Sequence, residues 1–413
     1  MNIAFYHNLP SGGAKRAVFE MIRGLSKRGH RIWEYAPKTE SAERNFMSLS
    51  DYCEKSIFFD SHQLQPVERW IPLITPYLNL AILIANFTRI DRMSRYAAKV
   101  IDAHEPDVVF VHDCMIAGPP HILPYLHSAT VYYCHHGLRT YSQLTQTEKK
   151  NHKSVGHSSF GHVKSQYYTQ AGRIGDFFRL QTEHRNIRAA DYVWTNSCHS
   201  RERIYAMHGV DSKVVRLGVD TDRFRPLNLP RADYLLAVGG LQPFKGYRFL
   251  LGSLARIPRS QRPHLIIAAN AEDSDYRGEI IEMAKHLNVS MEIRKIWNDD
   301  VLVDLYNRAI VLVYTPVMEA LGLAALEAMA CGTAVVAVRE GGIRETVVEG
   351  RTGILSDRDE NEFAAALVSA INNKDLIQEM GKAGSIEVQQ HWQWDGAIEH
   401  IERALERVVA GSK

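Results

Sequence analysis

Residues 310–338 read IVLVYTPVMEALGLAALEAMACGTAVVAV, the pattern of a buried strand, a loop, a short helix and a second strand. Ile310–Val313 and Ala334–Val338 are apolar runs of strand length. Strands apolar on both faces belong to parallel sheets covered by helices on either side. Between them, Gly322 allows the backbone a close approach to a ligand, and the helix that follows closes at Gly332. Glu319 falls in the loop and Glu327 one to two turns into the helix. Unsatisfied N–H groups at a helix start favour an anion such as a diphosphate, and a carboxylate inside the helix suits the hydroxyls of a ribose. Two glutamates at this spacing also describe surface charge on an amphipathic helix. The glycine, the small residues of the helix and the following strand favour a binding site.

The same alternation extends outward in both directions. Tyr234–Val238 runs into Gly239-Gly240 and a helix through Leu250–Leu254, and His264–Ala268 and Met291–Ile293 are further strands. In the first half, Ile3–Tyr6 leads to the turn Ser11-Gly12-Gly13. A helix follows with Val18, Met21, Ile22 and Leu25 on one face, stopped at Gly29. Val108–Val111, Thr130–Tyr133 and Tyr192–Thr195 are short buried strands. Strands alternating with helices predict an α/β protein with two Rossmann-like, doubly wound domains facing a cleft. The expected division is 1–217, a linker at 218–231 containing GVD and two prolines, 232–390, and a terminal helix over 391–413. Residues 139–175 interrupt the alternation and read as a long loop or lid.

With 413 residues the chain is long enough for two cores, and 45% apolar with 23% charged residues is a soluble, globular balance. A net charge of +2 gives no sign of a nucleic-acid partner. The five cysteines are scattered, never in a C-x-x-C pair, which argues against a disulfide framework or zinc site and fits a reducing cytosol. Met1–Tyr6 lacks a signal-peptide layout, so a cytoplasmic location is expected. Residues 70–87, WIPLITPYLNLAILIANF, are too interrupted by proline and asparagine for a membrane span. Trp70, Leu73, Ile74 and Tyr77 recur at helical spacing, and Arg89, Arg92 and Arg95 follow. Such a helix suits either a protein core or peripheral docking on an anionic membrane.

Glu319 to Glu327 with EAMACGTAVVAV and GGIRETV resembles the retaining GT-B glycosyltransferases of family 4. SGGAKR, GVDTDRF, VGGLQPFKG and WQWDGAIEHIERALERV resemble that family's first glycine loop, interdomain linker, phosphate loop and terminal helix. The resemblance implies a nucleoside-diphosphate sugar as donor and three catalytic residues, Glu319, Lys245 and His135. Lys245 would neutralise the diphosphate, Glu319 would meet the sugar hydroxyls, and Glu327 would bind the ribose. The cleft histidine is His135, with His136 as the alternative. Gly12, Gly13, Arg16, Gly240, Gly322 and Leu323 complete the donor site, with Trp297 beside the base and residues 341–345 toward the nucleotide. Where the family commonly has arginine this chain has Gly240, which shifts the load to Lys245, the helix start and Arg16.

The implied reaction moves a hexosyl unit to an acceptor hydroxyl with retention of configuration. The acceptor is a glycan, a lipid-linked sugar or a small molecule. No D-x-D motif stands at an obvious metal position, Asp220-Thr-Asp222 lying in the linker, so neither a metal nor any other cofactor is expected. A sugar-nucleotide epimerase or a non-catalytic sugar-nucleotide binder would use the same cleft. The G-x-G-x-x-G of a dinucleotide oxidoreductase is missing.

Overall fold

The structure is a computed structural model. It describes residues 1–9, 12–38, 49, 51–61, 63–67, 74–114, 118–136, 159–270, 273–296 and 298–411, with side chains of the helix that starts at Ser159 described from residue 171.

The first sheet has seven parallel strands: β1 (Asn2–Asn8), β2 (Arg31–Lys38), β3 (Lys55–Asp60), β4 (Val108–Cys114), β5 (Thr130–Cys134), β6 (Tyr192–Thr195) and β7 (Lys213–Val214), in the order β3-β2-β1-β4-β5-β6-β7. The second has six, β8 (Tyr234–Val238), β9 (His264–Ala269), β10 (Met291–Lys295), β11 (Leu312–Tyr314), β12 (Val335–Val338) and β13 (Gly353–Ser356), in the order β10-β9-β8-β11-β12-β13. Strand order reverses between β1 and β4 in one sheet and between β8 and β11 in the other. In such sheets ligands bind beyond the carboxyl ends of the strands at that reversal. The two doubly wound domains read from the sequence are present.

Helices cover both faces. In the first domain α1 (Gly13–Lys27) buries Val18, Met21, Ile22 and Leu25 in one cluster with Ile3 and Phe5 of β1. On the opposite face α2 (Thr75–Asp102) sets Ala97, Ala98 and Ile101 in a cluster with Ala4 and Tyr6. The strand alternation of β1 thus serves two cores.

One expectation is corrected. Much of the stretch 139–175 read as a loop is helical, because α3 runs from Ser159 to Arg188; residues 137–158 lie outside the described residues. Only Ala171, Gly175, Asn186 and Ile187 of its described residues are buried. A Cβ at Gly175 would stand 3.2 Å from Leu83 of α2. Packing on α2, not an amphipathic stripe, accounts for the helix.

The last helix, α12 (Trp394–Gly411), lies on the first domain although it follows the second in sequence. Its Ile398, Ile401, Leu405 and Val408 share the cluster of α1. A Cβ at Gly24 would stand 2.5 Å from Ile398, so only glycine leaves room for that side chain. At the linker the Val219 N–H donates to Trp392 O at 2.7 Å, and Glu402 pairs with Arg28 at 2.8 Å and His30 at 2.7 Å. Ile398→Ala is expected to cost about 2–5 kcal/mol by opening a cavity at Gly24, read as a lower thermal midpoint. Ile386→Ala, at a half-exposed position, should change it little.

Candidate active site

The second domain builds its part of the cleft from two loops that interlock through glycine. After β8, the single turn Pro243–Lys245 leads through Gly246 into α5 (Tyr247–Ala255). Gly246 has φ +75°, and a Cβ there would stand 2.1 Å from Thr315 O, in the loop after β11. The backbones therefore touch: Thr315 Oγ1 donates to Lys245 O at 3.1 Å and the Val317 N–H to Phe244 O at 2.8 Å. Arg358 braces the same loop, donating to Thr315 O at 3.2 Å and Pro316 O at 3.0 Å. This support holds the Lys245 ammonium 2.8 Å from the Glu319 carboxylate, both largely buried. Gly240 sits half-buried in the turn after β8.

Beyond Glu319 the chain enters α8 (Leu323–Ala330), with Gly322 at φ +97° as its N-cap and no side chain capping the amides. Gly341 and Gly342 support the loop from behind, where a Cβ would stand 2.4 Å from Glu319 O and 1.9 Å from Ala320 O. On the facing side lies the first domain. Gly12 is the N-cap of α1, and a Cβ at Gly13 would stand 3.1 Å from Leu323 Cδ1. The two helix starts that the sequence assigns to the donor therefore meet across the cleft.

Glu327 is buried in α8 and accepts a hydrogen bond from Tyr306 Oη at 2.9 Å, with Arg16 Nε 3.7 Å away. Burial pushes its carboxyl up, and Arg16 and Tyr306 act against that shift. Arg16, expected to share the diphosphate charge, is committed elsewhere. Its guanidinium grips both oxygens of Asp299, at 2.8 and 2.5 Å. Asp299 opens α7 (Asp299–Arg308) and also takes Arg223 of the linker at 2.5 Å. Burial opposes ionisation of Asp299, but the two guanidinium groups outweigh it and hold its carboxyl below the usual range. Burial likewise opposes charge on Arg16, yet Glu327 and Asp299 raise its affinity for the proton.

Glu345, expected toward the nucleotide, ties the domains instead. Its carboxylate accepts the N–H groups of Cys198 at 2.9 Å and His199 at 2.8 Å, at the start of α4 (Cys198–His208). Those free helix-start amides attract any nearby carboxylate, and domain packing supplies this one. Trp297 lies outside the described residues. His135 is buried beside His112, whereas His136 is half-exposed and paired with Asp113. Asp113, Asp299, Arg223, Tyr306 and Arg358 escaped the sequence reading; each acts through a partner distant in the chain. Among the described residues no cluster of His, Cys, Asp and Glu gathers to hold a metal ion.

Two facing Rossmann-like domains with these loops define the GT-B glycosyltransferase architecture. The chain belongs to glycosyltransferase family 4: residues 11–223 match the family described as Glycosyltransferase Family 4, and residues 219–386 match Glycosyl transferases group 1. It is 30% identical over 227 residues to D-inositol 3-phosphate glycosyltransferase 2 of Catenulispora acidiphila, covering 49% of this chain and 53% of that one. It is 29% identical over 272 residues to alpha-maltose-1-phosphate synthase of Mycolicibacterium smegmatis, covering 58% and 70%. The chain spans about half the length of most of the curated relatives it matches. Sucrose-phosphate synthase from Thermosynechococcus elongatus shares the fold, with TM-score 0.73, 20% identity and 100% of both chains covered. So does Anabaena HepE in complex with UDP-glucose, with TM-score 0.66, 17% identity and 98% and 100% covered.

Asp299→Asn is expected to cost about 3 kcal/mol by removing the carboxylate charge that two guanidinium groups share, measured by thermal or urea unfolding. A carboxyl held below its unfolded value stabilises above pH ~4 and loses that contribution as pH falls through its lowered value. The variant should therefore lose less stability than wild type on acidification below about pH 4.

Proposed function

We propose that the protein transfers a hexosyl unit from a nucleoside-diphosphate sugar to an acceptor hydroxyl, with retention of configuration and no essential metal ion. The observation that carries this reading is the convergence of the Lys245–Glu319 pair, the uncapped start of α8 opposite Gly13, and the buried Glu327. A diphosphate lying on the start of α8 draws Lys245 away from Glu319. The freed Glu319 carboxylate then accepts from sugar hydroxyls, and Glu327 accepts from the ribose. The barrier is departure of the diphosphate from an oxocarbenium-like sugar, so fixed positive charge where negative charge develops supplies most of the acceleration. Retention follows the family resemblance, and no covalent nucleophile is assigned. The nucleotide-sugar donor is supported by the fold neighbour HepE, whose complexes contain UDP and UDP-glucose.

The test is a panel of UDP-, GDP- and ADP-sugars with sugar, lipid-linked and small-molecule acceptors, read by nucleotide release, product mass and the anomeric coupling constant. One donor turning over with retention, undiminished in EDTA, is the expected result. Conversion of the donor without an acceptor identifies an epimerase. Binding without turnover identifies a sensor, and loss in EDTA restored by magnesium refutes metal independence.

A second observation bears on the acceptor. Helix α2 exposes a stripe that starts with Ile74, Tyr77, Leu78 and Ile84 and continues with Arg89, Arg92, Arg95 and Tyr96. The adjoining α3 exposes Ile174, Phe177 and Phe178. Trp70 and Leu73 lie outside the described residues. Among the described residues no helix is long and apolar enough to cross a membrane. Apolar side chains beside arginines suit peripheral docking on the cytoplasmic, anionic leaflet, which places a lipid-linked acceptor within reach. Co-sedimentation with anionic vesicles at low salt, lost at high salt and with neutral vesicles, is expected. No binding at low salt leaves a soluble acceptor.

A further inference from the structure

The two histidines that follow β5 differ in burial. His135 is 3% exposed and lies with its Nε2 3.0 Å from His112 Nδ1. Burial holds its imidazole well below its ordinary range, with His112 adding to the effect, so it stays neutral. Its carbonyl accepts a hydrogen bond from Asn196 Nδ2 at 2.9 Å. His136 turns outward: its side chain is 50% exposed, and its Nδ1 lies 2.8 Å from Asp113 Oδ2.

Asp113 is buried near the carboxyl end of β4, beside the strand-order reversal. Its carboxylate accepts from Tyr132 Oη at 2.5 Å and from the N–H groups of His135 at 2.9 Å and His136 at 3.2 Å, besides the imidazole. An ionised carboxylate can only accept hydrogen bonds, so the shared proton belongs on Nδ1 of His136. Nε2 is left as an outward-facing acceptor. A free imidazole prefers the other tautomer, with its proton on Nε2.

The rim carrying these residues touches the donor loop. Asn196, which holds the His135 carbonyl, is followed by Ser197, whose Oγ donates to Ala320 O at 2.6 Å. Ala320 is the neighbour of Glu319. The end of β5 is therefore anchored, through the end of β6, to the segment that carries the catalytic glutamate.

Building on the transferase reading, we propose that Asp113 is a positioning residue. It fixes His136 in the Nδ1–H tautomer, so that Nε2 accepts a hydrogen bond from a hydroxyl of the donor sugar or the acceptor at the reacting centre. His135 is then a packing residue whose backbone the same carboxylate secures. This assigns the cleft contact to His136, the alternative in the sequence reading.

The first test needs no substrate. In histidine-selectively 15N-labelled protein at pH 8, the His136 signals are assigned by their loss in His136→Ala. A protonated Nδ1 and a bare Nε2 are expected in wild type, with reversion toward Nε2–H in Asp113→Ala. The Nε2–H tautomer in wild type overturns the proposal. If Asp113→Ala does not fold, the wild-type spectrum still decides.

The second test uses turnover. His136→Ala is expected to lower kcat roughly ten- to a hundredfold, with only a small fall in thermal midpoint because Asp113 keeps its bonds from Tyr132 and two backbone N–H groups. Asp113→Asn, whose amide oxygen still accepts from Nδ1–H, should retain most activity. Adding His136→Ala to Asp113→Ala should bring little further loss. Full activity in His136→Ala, alongside an active wild type, overturns the proposal. A wild type inert with every donor refutes the transferase reading instead, and the tautomer measurement stands apart from it. Slow donor hydrolysis without acceptor identifies the hydroxyl. A fall in His136→Ala places it on the donor sugar, and an unchanged rate places it on the acceptor; both results support the proposal.

Discussion

The cleft depends on one ion-pair cluster. Arg16 comes from the first domain, Arg223 from the linker and Asp299 from the second domain, and the three meet at hydrogen-bonding distance. Unit charges about 4 Å apart attract by ~4 kcal/mol at the effective dielectric of a protein near its surface, and desolvation cancels much of that. The net energy therefore matters less than the geometry. A bidentate guanidinium–carboxylate pair has one good orientation, so it sets how α1 stands against α7. That orientation brings Gly13 onto Leu323 and Arg16 beside Glu327. The cluster also bears on Glu327 inside α8: burial raises its carboxyl, and Arg16 and Tyr306 act against that shift.

Within the second domain the constraint is steric. Gly246 against Thr315, Gly341 against Glu319 and Gly342 against Ala320 are approaches that no other residue permits. They bring three loops into backbone contact, and side chains carried on them inherit that rigidity. Fixed charge is useful in catalysis only when it need not reorganise as the reaction proceeds. The Lys245–Glu319 pair is thus held by hydrogen bonds between main chains rather than by the reach of two flexible side chains.

What was legible in the sequence was local. β8, β9 and β12 are uninterrupted apolar runs, and the glycines and glutamates of residues 319–342 stand within a few turns of one another. β2, which reads RIWEYAPK, was missed because Arg31, Glu34, Pro37 and Lys38 break its apolar pattern near the sheet edge. α3 was missed because its few buried residues give no stripe. Across the cleft the sequence offered nothing: Arg16 and Asp299 lie 283 positions apart, and Cys198 and Glu345 lie 147 apart. The role of Arg16 was read from its place next to a glycine loop, and it is the partner on the other domain that decides what its charge does.

The position of α12 bears on how the chain is made. The last strand of the first sheet ends at Val214, but the helix that fits Ile398 over Gly24 starts at Trp394. A ribosome working at about 5–20 residues per second needs on the order of ten to forty seconds to cover that interval. During it the outer face of α1 emerges without its cover, apolar and shaped for a segment not yet synthesised. The first domain thus emerges before the second and is completed after it, and its nascent form presents the kind of surface that chaperones hold.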